Sequence, residues 1–364
     1  MRLMVSAGAT GGGINPALAV LQALGDKPEA ILWVGSEKGM ETDLVSRAGV
    51  PFKSIPAAGV HGTGLKAVWG VFQLTRGYFS ARKLVEEFKP DVLFFTGGYV
   101  AIPTGLAGRK VPTLLCLPDI EPALALRTLA RFADKIVVPV EESKAYFSQK
   151  KDVEVVGYPT RPGLKPVLKE DAVTSFGLDP TKLTLMVTGG SLGARSINQA
   201  LVGILPELLD KMQIIHLTGE LTWSEVQSAA DALPPRLAQN YRPYPFLHQE
   251  MSAAFSSADL VVSRAGASVL GELPTFGVPA ILVPYPYAWR YQKVNAEYLS
   301  SRGAAVIVRD EELNDKLLPV VRDLMRPDSE KRDQMRMAMG SLAVPQAADK
   351  IAHILQELAL SGKN

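Results

Sequence analysis

Short apolar runs alternate with amphipathic stretches along nearly the whole chain. Arg2 to Ser6, Ala30 to Val34, Phe52 to Ile55, Asp91 to Thr96, Thr113 to Leu117 and Lys135 to Val138 read as strands, the third being the weakest. Most are apolar without polar alternation, the pattern of strands covered on both faces. Helical periodicity fills the intervals: about Pro16 to Leu24, the METDLVSRAG stretch, Leu65 to Phe88, and shorter segments after Tyr99 and Leu117. Such alternation predicts a parallel, doubly wound sheet. Regularity breaks near Gly157-Tyr158-Pro159-Thr160-Arg161-Pro162. After a charged loop it resumes with the strand Thr184 to Val187 and continues to about Val308. The expected fold is therefore α/β, with two doubly wound Rossmann-like domains facing across a cleft. We expect an N-terminal domain over 1–161, a C-terminal domain over 166–345, and a final helical segment over 346–364 whose packing partner is not legible.

The stretch richest in candidate chemistry runs from Ser263 to Asn295. A buried strand (Ala258 to Val262) leads into a small-residue turn, Arg264-Ala265-Gly266-Ala267, and then into a short helix carrying Glu272. Gly277-Val278-Pro279 stops that helix before a second strand, Ala280 to Pro284. A polar loop with Arg290, Gln292 and Asn295 is expected next. A small-residue turn at a strand's carboxyl end lets a phosphate approach backbone amides and the positive end of a helix dipole. A carboxylate on the following helix can accept both hydroxyls of a ribose. The plainer alternative is an ordinary strand–helix–strand unit with a surface glutamate. Glycine-rich loops at residues 8–13, 97–98 and 189–193 also stand at strand ends, where ligands bind in open α/β sheets. The first fits neither the dinucleotide fingerprint nor the P-loop pattern. Together the loops point to a nucleotide or sugar-phosphate.

Composition narrows the class. A length of 364 residues suits two domains, and a formal net charge of +2 argues against a nucleic-acid partner. A single cysteine, Cys116, cannot form an intramolecular disulfide, which suits a reducing cytoplasm. It closes an apolar strand and reads as a core thiol. No run is long and apolar enough for a membrane span, and the N-terminus reads as strand and glycine loop, not as a signal. There is no Asp-x-Asp pair, and His61, His216, His248 and His353 are scattered, so no metal is expected. A bound nucleotide or sugar-phosphate would then rely on fixed dipoles and cations: Ser191, the 189–193 amides, the 265–267 turn and Arg161. Arg161 also has the plainer reading of a solvated linker residue.

The ordered set GATGGGINPALA (8–19), METDL (40–44), GVHGTGLKA (59–67), KPDVLFFTGGYVAIP (89–103), GYPTR (157–161), TGGSLGARSIN (188–198), SRAGASVLGE and YQKVNA resembles the MurG family of GT-B glycosyltransferases, glycosyltransferase family 28. The resemblance covers nearly the whole chain. It implies inverting transfer of N-acetylglucosamine from UDP-N-acetylglucosamine (UDP-GlcNAc) to a polyprenyl-pyrophosphoryl muramyl-pentapeptide, at the inner face of the plasma membrane. The donor contacts expected are Thr10, Gly11, Gly12, Arg161, Gly190, Ser191, Leu247, Arg264, Ala267, Ser268, Val269, Leu270, Gly271, Glu272 and Gln292. The acceptor contacts expected are Gly13, Gly98, Tyr99 and Asp119.

Two departures from the family pattern fall where the acceptor hydroxyl is expected. Gly13 stands in place of a histidine, and Cys116-Leu117-Pro118-Asp119 in place of His-Glu-Gln-Asn. The candidate base is therefore Asp119, its pKa raised by Glu121, with His61 as the weaker rival. Asp119 could instead cap a helix starting near Pro122. Three readings stay open: the family's own transfer, a related transferase with another lipid or small-molecule acceptor, and a UDP-sugar-binding protein without turnover. Residues 65–83 mix Val68, Trp69, Phe72, Tyr78 and Phe79 with Lys66, Arg76, Arg82 and Lys83, which suits a peripheral contact with anionic lipid or simply packing under the sheet.

Overall fold

A computed structural model describes residues 1–7, 11–37, 41–57, 65–161, 163–190, 193–287 and 291–362, and the side chains of 11, 43, 65–69 and 71 also lie outside the description. The chain divides into two compact units, Met1–Pro162 with Gln346–Asn364, and Gly163–Pro345.

The first unit is built on seven parallel strands: β1 (Arg2–Ser6), β2 (Ala30–Ser36), β3 (Phe52–Ile55), β4 (Val92–Phe95), β5 (Thr113–Cys116), β6 (Lys135–Val138) and β7 (Val153–Val155). Their order is β3-β2-β1-β4-β5-β6-β7. The helices are α1 (Gly11–Leu24), α2 (Glu41–Arg47), α3 (Leu65–Phe88), α4 (Ala101–Ala107) and α5 (Leu124–Leu129). Pairing puts Leu3 beside both Ile31 and Val92, so β1 lies at the centre of the sheet. Side chains alternate across it. Leu3, Val5, Trp33, Phe94 and Cys116 join one buried cluster, and Met4, Val34, Leu93, Phe95 and Leu115 join the other. With both faces covered, the period-2 signal vanishes and the strand reads as a plain apolar run.

The second unit has six parallel strands: β8 (Thr184–Thr188), β9 (Gln213–Leu217), β10 (Tyr241–Tyr244), β11 (Leu260–Ser263), β12 (Ala280–Leu282) and β13 (Ala305–Ile307). Their order, β10-β9-β8-β11-β12-β13, repeats the scheme of the first sheet. Its helices are α6 (Lys169–Ser175), α7 (Arg195–Leu209), α8 (Trp223–Asp231), α9 (Pro235–Ala238), α10 (Met251–Ser257), α11 (Glu272–Phe276), α12 (Tyr291–Ser301), α13 (Leu313–Leu324) and α14 (Glu330–Ser341). Leu185, Val187, Leu260, Val262 and Ile281 bury one face of the sheet under Ile197, Leu201 and Leu205 of α7 and Leu317 and Val321 of α13.

The last helix, α15 (Ala347–Ser361), returns to the first unit and packs along α1. Ile351, Ala352, Ile354, Leu355 and Ala359 enter the cluster of Leu3, Val5 and Phe94. A fully buried leucine stabilises by about 1.5–3 kcal/mol, so a helix with several such positions is an integral part of that core.

Three details differ from the sequence reading. α1 starts at Gly11, not near Pro16, so the proline lies inside the helix. Gln292 and Asn295 belong to α12, not to a loop. β7 was not anticipated, being three half-buried residues at the sheet edge.

Candidate functional site at two strand carboxyl edges

In both sheets the strand order reverses at one place, between β1 and β4 and between β8 and β11. Connections leave such a pair in opposite directions, and a crevice opens outside the carboxyl ends.

In the first unit this edge carries the glycine turn that opens α1. Residues 8–10, and with them Thr10, lie outside the described residues; Gly11, Gly12 and Gly13 form the first turn of the helix. The buried Thr96 hydroxyl, at the end of β4, donates to the Gly13 carbonyl at 2.6 Å and so bridges the reversal. Gly97 and Gly98 follow with φ of 136° and 85°, a region L side chains rarely adopt. They turn the chain into Tyr99, whose partial burial raises the phenol pKa above its ordinary value. Its hydroxyl therefore stays protonated at neutral pH, able both to donate and to accept.

Beyond β5, Leu117 is buried and Asp119 half-buried. The Cys116 thiol, fully enclosed, is pushed up to about 12, which removes it as a nucleophile. Glu121 is 5% exposed and receives the Arg127 guanidinium at 2.6 Å. Arg127 also bonds the Pro122 carbonyl, while α5 starts at Leu124 with Ala123 at its N-cap. Asp119 is therefore not the residue at the N-cap of that helix. His61 lies outside the described residues. Arg161 stands half-buried at the end of the unit.

In the second unit, the turn after β8 is folded against its own backbone. A Cβ on Gly189 would sit 2.1 Å from the Ala194 nitrogen, and one on Gly193 would sit 2.2 Å from the Thr218 carbonyl oxygen. Gly190 has φ 79° and open space where a side chain would be; its amide donates to Thr188 Oγ1 at 3.2 Å. Ser191 lies outside the described residues. Ala194 is the N-cap of the fifteen-residue α7 and offers no side-chain acceptor to its first amides. An anion is the natural partner for such a terminus.

Below the turn, His216 is buried between Tyr241 and Asn198. The Asn198 amide group donates to the Thr218 carbonyl at 2.7 Å and Thr222 Oγ1 at 2.6 Å, leaving its oxygen to accept from His216 Nε2 at 2.9 Å. His216 Nδ1 then accepts from the Tyr241 hydroxyl at 2.7 Å. Burial lowers the imidazole pKa to about 3, so it stays neutral and the chain of bonds keeps one direction.

Arg264, one of the expected donor contacts, has its guanidinium among protein groups: Asp310 at 2.5 Å, Ser196 Oγ at 2.8 Å and the Val283 carbonyl at 3.2 Å, over the Tyr285 ring. Ser196 in turn donates to Asp310 at 2.7 Å. One arginine thus ties together the segments that follow β8, β11, β12 and β13. Asp310 and Ser196 were missed because they lie 46 and 68 residues from Arg264, and only the fold brings them near.

From Gly266 the chain forms a 3₁₀ turn, Ala267–Leu270, then Gly271 and α11. Ala267, Val269 and Leu270 are buried, and Glu272 is 5% exposed, so it is no surface glutamate. The Asn295 amide donates to the Ala265 carbonyl at 3.1 Å, and Gln292 Oε1 accepts the Tyr285 amide at 2.9 Å. α12 is thereby pinned to the same turn. Leu247 is buried beside the half-exposed Phe246, which meets the His248 ring edge-on. Among the described residues no cluster of three or more His, Cys, Asp or Glu could hold a metal ion.

If the arginine cluster sets the shape of this edge, Asp310→Asn and Arg264→Lys each weaken binding of the UDP that the sequence resemblance implies, about tenfold by calorimetry, while the folded spectrum is kept. A lysine ammonium cannot reproduce the planar fork that meets three acceptors. Unchanged affinity in both variants would reduce the cluster to a closure of the sheet edge.

Comparison with known proteins converges on one family. The glycosyltransferase family 28 N-terminal domain matches residues 3–138 and the family's C-terminal domain residues 184–352. A UDP-N-acetylglucosamine--N-acetylmuramyl-(pentapeptide) pyrophosphoryl-undecaprenol N-acetylglucosamine transferase from Desulforamulus reducens is 37% identical, over 98% of this chain and 99% of its own. The protein of the same name from Halalkalibacterium halodurans is 35% identical, over 99% and 100%. The crystal structure of Acinetobacter baumannii MurG is 27% identical with a TM-score of 0.75, covering 98% of this chain and 99% of that one. With both domain models matched in order and full-length relatives above a third identical, this chain belongs to glycosyltransferase family 28.

Proposed function

We propose that this chain is a UDP-sugar-dependent hexosyltransferase that moves N-acetylglucosamine from UDP-GlcNAc to a polyprenyl-pyrophosphoryl muramyl-pentapeptide in peptidoglycan synthesis. The names of its full-length relatives support the reaction. The observation that carries the donor assignment is the second-unit edge, where an α7 terminus without a side-chain cap, the open side of Gly190 and the buried Glu272 lie around one strand reversal.

In this reading the diphosphate lies against the open side of Gly190 and the start of α7, and Arg161 is a further donor contact. Glu272 accepts the ribose hydroxyls, and Leu247 and Gln292 line the nucleotide. The acceptor hydroxyl attacks the anomeric carbon from the side opposite UDP, which inverts the configuration. Its proton goes to Asp119, and the charge developing on UDP is met by fixed dipoles and a guanidinium without a metal ion. Gly13, Gly98 and Tyr99 face the acceptor.

The protein acts at the inner face of the plasma membrane. No described helix is long and apolar enough to cross it. On α3, Phe72 and Phe79 are 51% and 64% exposed, with Arg76 over the Phe72 ring and Arg82 and Lys83 exposed nearby. On the same helix, Gly77 sits so close to the Pro56 carbonyl that a Cβ there would come within 2.2 Å of it, so that face is the packed one. Exposed aromatics beside cations suit an anionic lipid surface. We expect Phe72→Ser/Phe79→Ser to lose co-sedimentation with phosphatidylglycerol vesicles that the wild type retains; equal sedimentation of the two folded proteins would remove α3 from the membrane contact.

Product analysis with UDP-GlcNAc and the lipid-linked muramyl-pentapeptide tests the reaction itself. Transfer only to a simpler lipid would point to a related transferase, and tight UDP-sugar binding with no product to a protein without turnover. Glu272→Ala should weaken UDP-sugar binding about tenfold or more, since each charge-assisted bond is worth about 1.5–3 kcal/mol. Unchanged affinity would take Glu272 out of the site. A general base contributes about 10²–10⁴-fold, so Asp119→Asn should cut kcat at least tenfold at unchanged Tm. A smaller drop would leave the proton to another group.

A further inference from the structure

Pro16 is the sixth residue of α1, and a proline there has two consequences. It has no amide to donate to the carbonyl four residues back, and its ring crowds that carbonyl away from the helix axis. The carbonyl concerned is that of Gly12, inside the glycine turn. The Tyr158 hydroxyl donates to it at 3.3 Å, across 146 residues of sequence. The Tyr158 side chain is buried at 3% exposure, and it follows Gly157, whose φ of 87° directs the chain out of the sheet edge. The next carbonyl, Gly13, is held by Thr96 at 2.6 Å. Two hydroxyls from distant segments therefore grip consecutive carbonyls of one turn. The second of those segments also carries Arg161, three residues beyond Tyr158.

We propose that Tyr158 is a positioning residue for sugar transfer: its hydroxyl replaces the amide that Pro16 lacks and fixes the Gly11–Gly13 turn relative to the segment bearing Arg161. This rests on the reading of that turn and of Arg161 as donor contacts. A bare packing role for the ring is the competing account, and a phenylalanine would satisfy it equally well. The two accounts separate because the missing amide can be restored. Pro16→Ala supplies it, and the Gly12 carbonyl then has a helical partner whether or not the hydroxyl is present.

The test uses four full-length proteins: wild type, Tyr158→Phe, Pro16→Ala and the double variant. Hydrogen exchange over residues 13–20 reports the turn, because local opening sets the rate. Steady-state transfer with UDP-GlcNAc and the lipid-linked acceptor reports kcat and the donor KM. We expect Tyr158→Phe to speed exchange about tenfold and lower kcat about tenfold, with donor KM changed less than about threefold. The double variant should return both to within about threefold of wild type. A Tyr158→Phe enzyme indistinguishable from wild type, or a double variant as impaired as the single, overturns the proposal. Faster exchange with kcat unchanged overturns it also, since the hydroxyl would then hold the helix without serving transfer. Absence of turnover in the wild type would instead reject the proposed reaction, and the exchange measurements would still decide whether the hydroxyl stands in for the amide.

Discussion

The function proposed for this chain rests on a place where two adjacent parallel strands send their connections opposite ways. At the carboxyl end of such a pair nothing covers the sheet edge, and the strand ends and turns around the gap bring free backbone groups to it. The gap is also a weak point, because no ladder bond crosses it beyond the last paired residue. Among the described residues, each unit closes it with a side-chain bridge. In the first sheet the bridge is Thr96 to the Gly13 carbonyl. In the second it is Arg264 to Ser196, with Asp310 completing the triangle. The chemistry differs between them. A neutral hydroxyl suffices where one carbonyl must be held, whereas an arginine fork serves where four strand ends must keep a common geometry.

The glycine turns only work because of what lies beneath them. Gly193 comes so close to the Thr218 carbonyl that no side chain fits. That same carbonyl is held by Asn198, which His216 and Tyr241 orient in turn. A buried polar chain of this kind is costly if any member goes unpaired. Here each bond leads to the next and the imidazole stays neutral, so the network rigidifies the turn without placing a charge beneath it. The arginine cluster follows the same logic at the surface: Asp310 neutralises Arg264, so the guanidinium shapes the edge more than it attracts to it.

Elements governed by local pattern were legible in the sequence, and those governed by distant partners were not. β1 and β4 could be read because two covered faces leave an unbroken apolar run. Glu272 was singled out from its turn, but its burial comes from packing and not from its neighbours in sequence. Pro16 misled the start of α1 because proline favours a first helical turn; glycines with poor helix propensity precede it, yet the Thr96 and Tyr158 bonds hold them in the helix. Gln292 and Asn295 read as loop because α12 has little apolar periodicity, and β7 is too short and too charged to signal. Asp310 had no local signature at all. The partner of α15 was equally invisible, since an amphipathic helix announces a buried face without naming what covers it.

The departures that the sequence resemblance implies, at Gly13 and at Cys116–Asp119, fall on the first-unit edge. With glycines at 11–13, the start of α1 offers backbone and no titratable side chain. Asp119 stands beyond the next strand, half-buried, while its neighbour Glu121 is paired with Arg127. A turn without a side chain of its own must be held in shape from outside, or its amides and carbonyls will not keep their directions. The hydroxyls of Thr96 and Tyr158 do that holding, and both lie on segments next to residues proposed to contact substrate: Tyr99 on one side, Arg161 on the other. The usefulness of this edge therefore depends on how firmly its backbone is gripped.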